Sequence, residues 1–233
     1  AVLVFSAVMT TLIAYTLKFT IGLRASAQQE SSGLDLASHA EVGYDLLTMD
    51  AVARRASCSK ETLYKWFGDR DGLLTATVQW QAAQVRADRY DGQALDVASL
   101  RESLEAFAAT WLSVIASETS VALNRIAIGH AAARKSNLGG IVLSNGRFAI
   151  GERVKPVLEA GRAAGLLTFA DSEAAFRTFF GLVGRDIQIR LLLGETLDLD
   201  GAGIRRDAGR AVEQFLALYG RARTPTPPSR EED

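Results

Sequence analysis

The chain has 233 residues, 48% of them hydrophobic and 23% charged, with a net charge of −1. This composition fits one substantial core, or a small module joined to a larger one, and excludes a globally disordered chain. The lone cysteine, Cys58, excludes an intrachain disulfide framework. Together with two widely separated histidines, His39 and His130, it leaves no metal site to expect, and no cofactor motif is present. Twenty glycines without a period exclude collagen-like and repeat architectures. With no global basic surplus, any nucleic-acid contact must come from a local patch.

Residues 1–17 carry no charge, Lys18 and Arg24 follow, and Ala25-Ser26-Ala27 closes the stretch. A membrane helix needs about 20 apolar residues, slightly more than are available before Lys18. A secretory leader would end on such an A-x-A site, but no basic residue precedes the apolar run. The third reading is a misassigned or non-native start, because position 1 is not Met. Residues 1–27 are therefore taken as an extension of doubtful origin. Residues 28–40 are small and polar, with Ser31-Ser32-Gly33 as a breaker cluster.

From Thr48 the pattern is helical, with Met49, Val52, Ala53 and Ala56 on one side and Arg54 and Arg55 on the other. Ser57-Cys58-Ser59 interrupts. Ser59 is a good N-cap for a short second helix carrying Leu63, Trp66 and Phe67, which Gly68 stops. Asp69 can cap the next helix, with Leu73 and Leu74. Leu100, Leu104, Phe107, Ala108, Trp111, Leu112 and Ile115 form a helical stripe, and residues 121–134 another helix. Asn137-Leu138-Gly139-Gly140 reads as a break. A helix over about 144–164 contains Pro156, which should kink it or start a second segment. Residues 174–193 read as one helix, apolar on more than one side, and 204–219 as the last. Residues 221–233, rich in proline and charge, read as a disordered tail. No stretch alternates with period two, so the chain is expected to be all-α.

Two short helices joined by a three-residue turn make a helix-turn-helix, whose second helix must show its N-terminal residues to base edges in the major groove. Residues 51–70 hold five basic residues against Glu61 and Asp69, a local surplus of +3. Spacing alone is a weak signal, since helical hairpins are common. The residues themselves say more. Gly43-Tyr44-Asp45, Thr48-Met49-Asp50-Ala51-Val52-Ala53 and the run from Ala56 to Leu73 resemble the DNA-binding domain of the tetracycline-repressor (TetR) family. More loosely, the stretch from Ala122-Leu123-Asn124-Arg125 through Gly181-Leu182-Val183 to Leu191-Leu192-Leu193-Gly194 resembles the ligand-binding domain of its AefR-like branch.

The resemblance implies an all-helical homodimer that binds a palindromic operator on double-stranded DNA, usually represses, and lets go when a small molecule occupies the C-terminal domain. It implies a helix-turn-helix domain over 28–75 and a ligand-binding and dimerisation domain over 76–220. Carried onto this chain, Thr48 matches a phosphate contact, and Ser59, Lys60, Glu61 and Thr62 open the recognition helix. Tyr64, Lys65 and Arg70 match backbone-contacting positions, and Leu63 and Phe67 match core positions. Three departures stand out. Ser57 occupies the turn position usually held by glycine, Cys58 replaces a small apolar residue, and Ser31, Ser32, Ser38 and His39 give the first helix a poor apolar face.

In the C-terminal domain, Phe107, Trp111, Phe148 and Phe176 are candidates for a pocket lining, with Asn124, Arg125 and His130 as its polar groups. Core packing and satisfaction by neighbours compete for the same residues. The surplus apolar faces of the last two helices predict a dimer interface through Phe180, Ile187, Leu191, Val212, Phe215 and Tyr219. The expected protein is a cytoplasmic transcriptional regulator. Two other readings compete with it. One is a helical enzyme or small-molecule carrier with a degenerate helix-turn-helix, which the lack of a Ser/His/Asp set or phosphate loop disfavours. The other is an interaction protein anchored in a membrane by residues 1–23.

Overall fold

The computed structural model describes residues 48–87, 95–133 and 137–221. The apolar run, the weak first-helix region with Gly43-Tyr44-Asp45, and residues 222–233 lie outside them. The described residues form ten α-helices: α1 (Met49–Arg55), α2 (Lys60–Phe67), α3 (Arg70–Ala83), α4 (Val97–Ile115), α5 (Glu118–Ala133), α6 (Leu138–Val142), α7 (Ala149–Ala163), α8 (Ser172–Gly184), α9 (Ile187–Leu192) and α10 (Gly201–Tyr219). A π-helical turn, Leu143–Phe148, joins α6 to α7. The described residues contain no strand, only an isolated antiparallel bridge between Leu167 and Gly220. The all-α expectation holds.

Side-chain caps start the first three helices where the sequence places them. Thr48 Oγ1 accepts from the Ala51 amide at 3.1 Å, Ser59 Oγ from Thr62 at 3.1 Å, and Asp69 Oδ1 from Gly72 at 2.8 Å. Each satisfies an orphan donor of a first turn. Between α1 and α2 the chain reverses through a Schellman motif. Cys58 N–H donates to Ala53 O at 3.0 Å and Ser57 N–H to Arg54 O at 3.3 Å. That geometry requires a left-handed residue after the cap, and Ser57 supplies it at φ 52°. A serine in the position usually held by glycine thus takes a left-handed conformation, which costs a residue with a Cβ. At the far end of α2, Gly68 takes φ 77° without that cost.

Two apolar cores form. The smaller joins Met49, Val52, Ala53 and Leu63 to Leu73, Leu74 and Val78 of α3, and to Leu123, Ile126, Ala127, Leu138 and Ile141 of α5 and α6. The larger packs α4, α7, α8 and α10, and it takes in Ala82 and Val85 at the end of α3. Helix α3 thus belongs to both cores and runs unbroken across residues 75 and 76. Polar bonds fix it further. Arg153 of α7 donates from Nη1 to the carbonyls of Ala82 and Val85, and Gln79 Nε2 donates to Asn145 Oδ1 of the π turn at 2.9 Å.

Several expectations need correction. At Pro156 no second segment starts, since α7 runs through it, and an irregular turn lies upstream at Leu143–Phe148. The expected break does fall here, between Ala133 and the N-cap Asn137 of α6, but Gly139 and Gly140 sit inside α6. The stretch 174–193 is two helices, because Arg185 takes φ 39°. The break lets α9 leave the axis of α8 and end against α5, where Arg125 donates to the carbonyls of Leu191 (2.6 Å) and Leu192 (3.0 Å). Leu191 O also accepts from the Gly194 N–H at 3.1 Å, so the guanidinium adds to the turn that ends α9. Finally, Ile187, Val212 and Phe215 are buried within the protomer. Phe215 stacks between Phe179 and Tyr219, with centroids at 5.0 and 4.9 Å. These three side chains complete the larger core and have no area to offer a partner.

Two stability effects follow. Phe215→Ala should lower the unfolding free energy by about 3–5 kcal/mol, the usual cost of emptying an aromatic core site; a wild-type urea midpoint would contradict the core placement. Ser57→Gly should raise stability by roughly 1 kcal/mol by removing the left-handed penalty. A destabilised Ser57→Gly protein in the same titration would contradict the strain.

Candidate nucleic-acid interface

Helix α2 buries one residue, Leu63, completely and turns the opposite side outward. Lys60, Glu61, Tyr64 and Lys65 are all exposed, Tyr64 by 45%. Thr48 and Ser59 are also exposed, whereas Thr62 and Arg70 are half-buried. The eight residues expected to meet DNA thus fall on the outer side of α2 and at the N-terminal ends of α1, α2 and α3. Trp66, grouped in the sequence with the apolar Leu63 and Phe67, is 38% exposed and meets Phe67 edge-on at 6.4 Å. Sequence reasoning did not include it among surface groups, because an aromatic next to a core Phe carries no sign of which way it faces.

The electrostatics match an anionic partner. The Lys60 ammonium lies 5.8 Å from the Tyr64 ring centroid, one turn along the same side. Arg54 is tied to Asp50 at 2.7 Å on the solvent side of α1. The carboxyl of Glu61 is held below its usual range by hydrogen bonds from its own backbone N–H and from Ser59, with the Lys60 charge adding to them. At neutral pH it is therefore a carboxylate, an acceptor only. The hydroxyls beside it are engaged in the cap, with Ser59 Oγ and Thr62 Oγ1 3.0 Å apart.

Of the seven side chains expected around a pocket, Trp111 and Phe176 meet at one ring, Phe180. Phe107 lies 5.9 Å from Phe179 in the larger core. Trp111 stacks on Phe180 at 4.2 Å, and Phe176 lies 5.8 Å from the same ring. Phe148 is 51% exposed. Asn124 donates to the Ser120 carbonyl of its own helix at 2.8 Å, and Arg125 is committed to the end of α9. His130 is buried in α5. A feature not anticipated is Arg147 of the π turn. Its guanidinium lies 4.8 Å from both the Phe176 and Phe180 rings and 3.9 Å from Glu173. Glu173 also takes Lys155 at 2.8 Å and Arg177 at 3.1 Å. Hydrogen bonds from Lys155 and Arg177 hold its carboxyl low, and Glu152 and Glu173 raise Lys155 in turn. Gly184 admits a close helix approach, with Trp111 3.2 Å from where a Cβ would stand, while Gly181 faces open space.

Among the described residues, no group of His, Cys, Asp and Glu could hold a metal ion, and no single helix is long and apolar enough to cross a membrane.

Comparison with known proteins gives two different likenesses. Residues 36–77 match the model of the bacterial regulatory proteins of the tetR family, and residues 102–221 match that of the AefR-like transcriptional repressor C-terminal domain. A TetR transcriptional regulator from Agrobacterium tumefaciens is 41% identical, covering 85% of this chain and 97% of its own, with a TM-score of 0.66. The flavonoid-responsive regulator FrrA is 26% identical over 81% of this chain and 97% of its own, with a TM-score of 0.59. A putative TetR-family regulator from Mesorhizobium loti shares the fold at 22% identity and a TM-score of 0.62. Residues 1–44, by contrast, match the Ammonium Transporter Family model. An ammonium transporter of Mycobacterium tuberculosis is 60% identical over 45 residues, and the chain spans only 9% of its length. With both regulator domains matched in order and the helix-turn-helix in place, the chain belongs to the TetR family of DNA-binding transcriptional regulators, with a C-terminal domain of the AefR-like kind.

Proposed function

We propose that the protein is a ligand-responsive repressor that binds a palindromic operator as a homodimer and releases it when a small molecule occupies the larger domain. The observation that carries this reading is the outward side of α2, which gathers Lys60, Glu61, Tyr64 and Lys65 in front of a completed small core. Lys65, Tyr64, Thr48 and Arg70 are assigned to phosphates, and Lys60, Glu61 and Thr62 to base edges. Ser59 is assigned chiefly to the cap. Such a protein acts in the cytoplasm and not as an enzyme. A 45-residue likeness to a transporter about ten times that length does not support transport.

For the dimer we assign the outer side of α8 to α10. The half-buried Phe180, Leu191 and Tyr219 remain from the expected set, joined by Ile189, Leu193 and Leu218, which are 53%, 81% and 64% exposed. A two-fold axis there would set two copies of α2 one DNA turn apart, about 34 Å. The effector is assigned to the aromatic cluster of Trp111, Phe176 and Phe180 under Arg147. The rings favour an aromatic, largely apolar molecule, in keeping with the flavonoid-responsive relative.

Footprinting of genomic DNA by the purified chain should protect a palindrome, and log K against log salt should fall with a slope of several units, about −0.9 for each phosphate. Lys65→Ala should flatten the slope by about 2 in a dimer and weaken all duplexes alike. A slope near zero, or an unchanged one in Lys65→Ala, would remove the backbone-contact assignment.

A further inference from the structure

We infer that Glu61 reads a cytosine in each operator half-site, with Lys60 on the guanine side of the same or the adjoining pair. The inference rests on the proposed placement of α2 in the major groove.

Three observations lead to it. First, the first turn of α2 has little unused hydrogen-bonding capacity. Ser59 Oγ accepts from the Thr62 amide and pairs with Thr62 Oγ1, and Leu63 is fully buried. Of the three residues assigned to base edges, Lys60 and Glu61 are the exposed charged pair at this end of the helix, and Thr62 is half-buried and engaged in the cap. Second, the carboxyl is ionised before DNA arrives, because hydrogen bonds from its own backbone N–H and from Ser59 hold it below the usual carboxylate range. Third, an ionised carboxylate needs a donor, and the major groove has only two, the N4 amino group of cytosine and the N6 amino group of adenine. Adenine places the N7 acceptor beside its amino group, where it repels a carboxylate. Cytosine presents its amino group with no acceptor next to it. The guanine opposite offers O6 and N7, which suit an ammonium. Adjacent residues of opposite charge therefore match one C·G step better than any A·T step.

The carboxylate also acts against wrong sites. Set among phosphates, it opposes the five basic residues of the segment wherever no amino group is waiting for it. Its removal should strengthen binding to unrelated DNA while erasing preference at one position.

The test is selection from a randomised duplex library by the purified full chain, as wild type, Glu61→Gln and Glu61→Ala. Circular dichroism of the three proteins controls for folding. Wild type should select half-sites with a fixed cytosine, preferred roughly 5- to 100-fold over other bases. Glu61→Gln should move that position to adenine, whose N6 and N7 match a carboxamide. Glu61→Ala should leave the position unselective and bind random duplex several-fold more tightly. The wild-type preference should persist at pH 6, because the lowered pKa keeps Glu61 ionised well below neutrality. If wild type selects a palindrome and both variants select the same one, the cytosine assignment is wrong and the operator-binding reading stands. If wild type selects no motif and binds no duplex, the operator-binding reading falls and takes this one with it.

Discussion

One helix holds the molecule together. α3 contributes Leu73, Leu74 and Val78 to the small core and ends among the side chains of the large one. It has no polar face long enough to be a linker. At its C-terminal end the Arg153 guanidinium from α7 donates to the carbonyls of Ala82 and Val85, the first of which also accepts from the Val85 N–H. A charged donor on a helix end complements the negative end of the dipole. The reading helix α2 is therefore not tethered to the larger domain but built onto it, because its buried Leu63 shares a core with Leu123 and Ile126 of α5.

The same device recurs at the other end. Arg125 closes α9 as Arg153 closes α3, and both arginines come from a helix distant in sequence. Between them sits the π turn Leu143–Phe148. It carries Asn145 to Gln79 on α3 and Arg147 to the rings of Phe176 and Phe180 on α8. Insertions of this kind inside helices are frequent at functional positions. Here the turn touches both α3 and the aromatic cluster, so a change in how Arg147 lies on those rings has a short physical route to the reading helix.

The reading head was legible in the sequence because its geometry is set by local chemistry. Thr48, Ser59 and Asp69 cap helices that begin where those residue types require, and Ser57 was recognisable as a residue in a glycine's position. What lay beyond local chemistry was not legible. Nothing in Gly184-Arg185-Asp186 announces a left-handed arginine; the break exists because α9 has α5 and Arg125 to end against. Periodicity marked Val212, Phe215 and Tyr219 as one stripe, but it does not say what covers a stripe, and here the chain's own larger core covers Val212 and Phe215 while Tyr219 stays half-buried. Asn124 and Arg125 were rightly seen as polar groups on an apolar helix, yet their acceptors, one turn away for the first and 66 residues away for the second, decide that they serve structure. The poor apolar face read at Ser31 and Ser32 falls in residues matched by the transporter family alone, whereas Ser38 lies where that match, residues 1–44, overlaps the regulator match, residues 36–77.

Shared by both cores, α3 should make the small and large cores one cooperative unit. The three tryptophans allow a direct measurement, because Trp66 reports on the head and Trp111 on the larger core, and Trp80 on α3 can be replaced. Urea unfolding of Trp80→Phe variants retaining only Trp66 or only Trp111 should give fluorescence transitions that coincide with each other and with the loss of helical circular dichroism. A Trp66 transition completed at lower urea, while Trp111 and most of the helix signal persist, would show a head that folds and melts alone and would contradict the account.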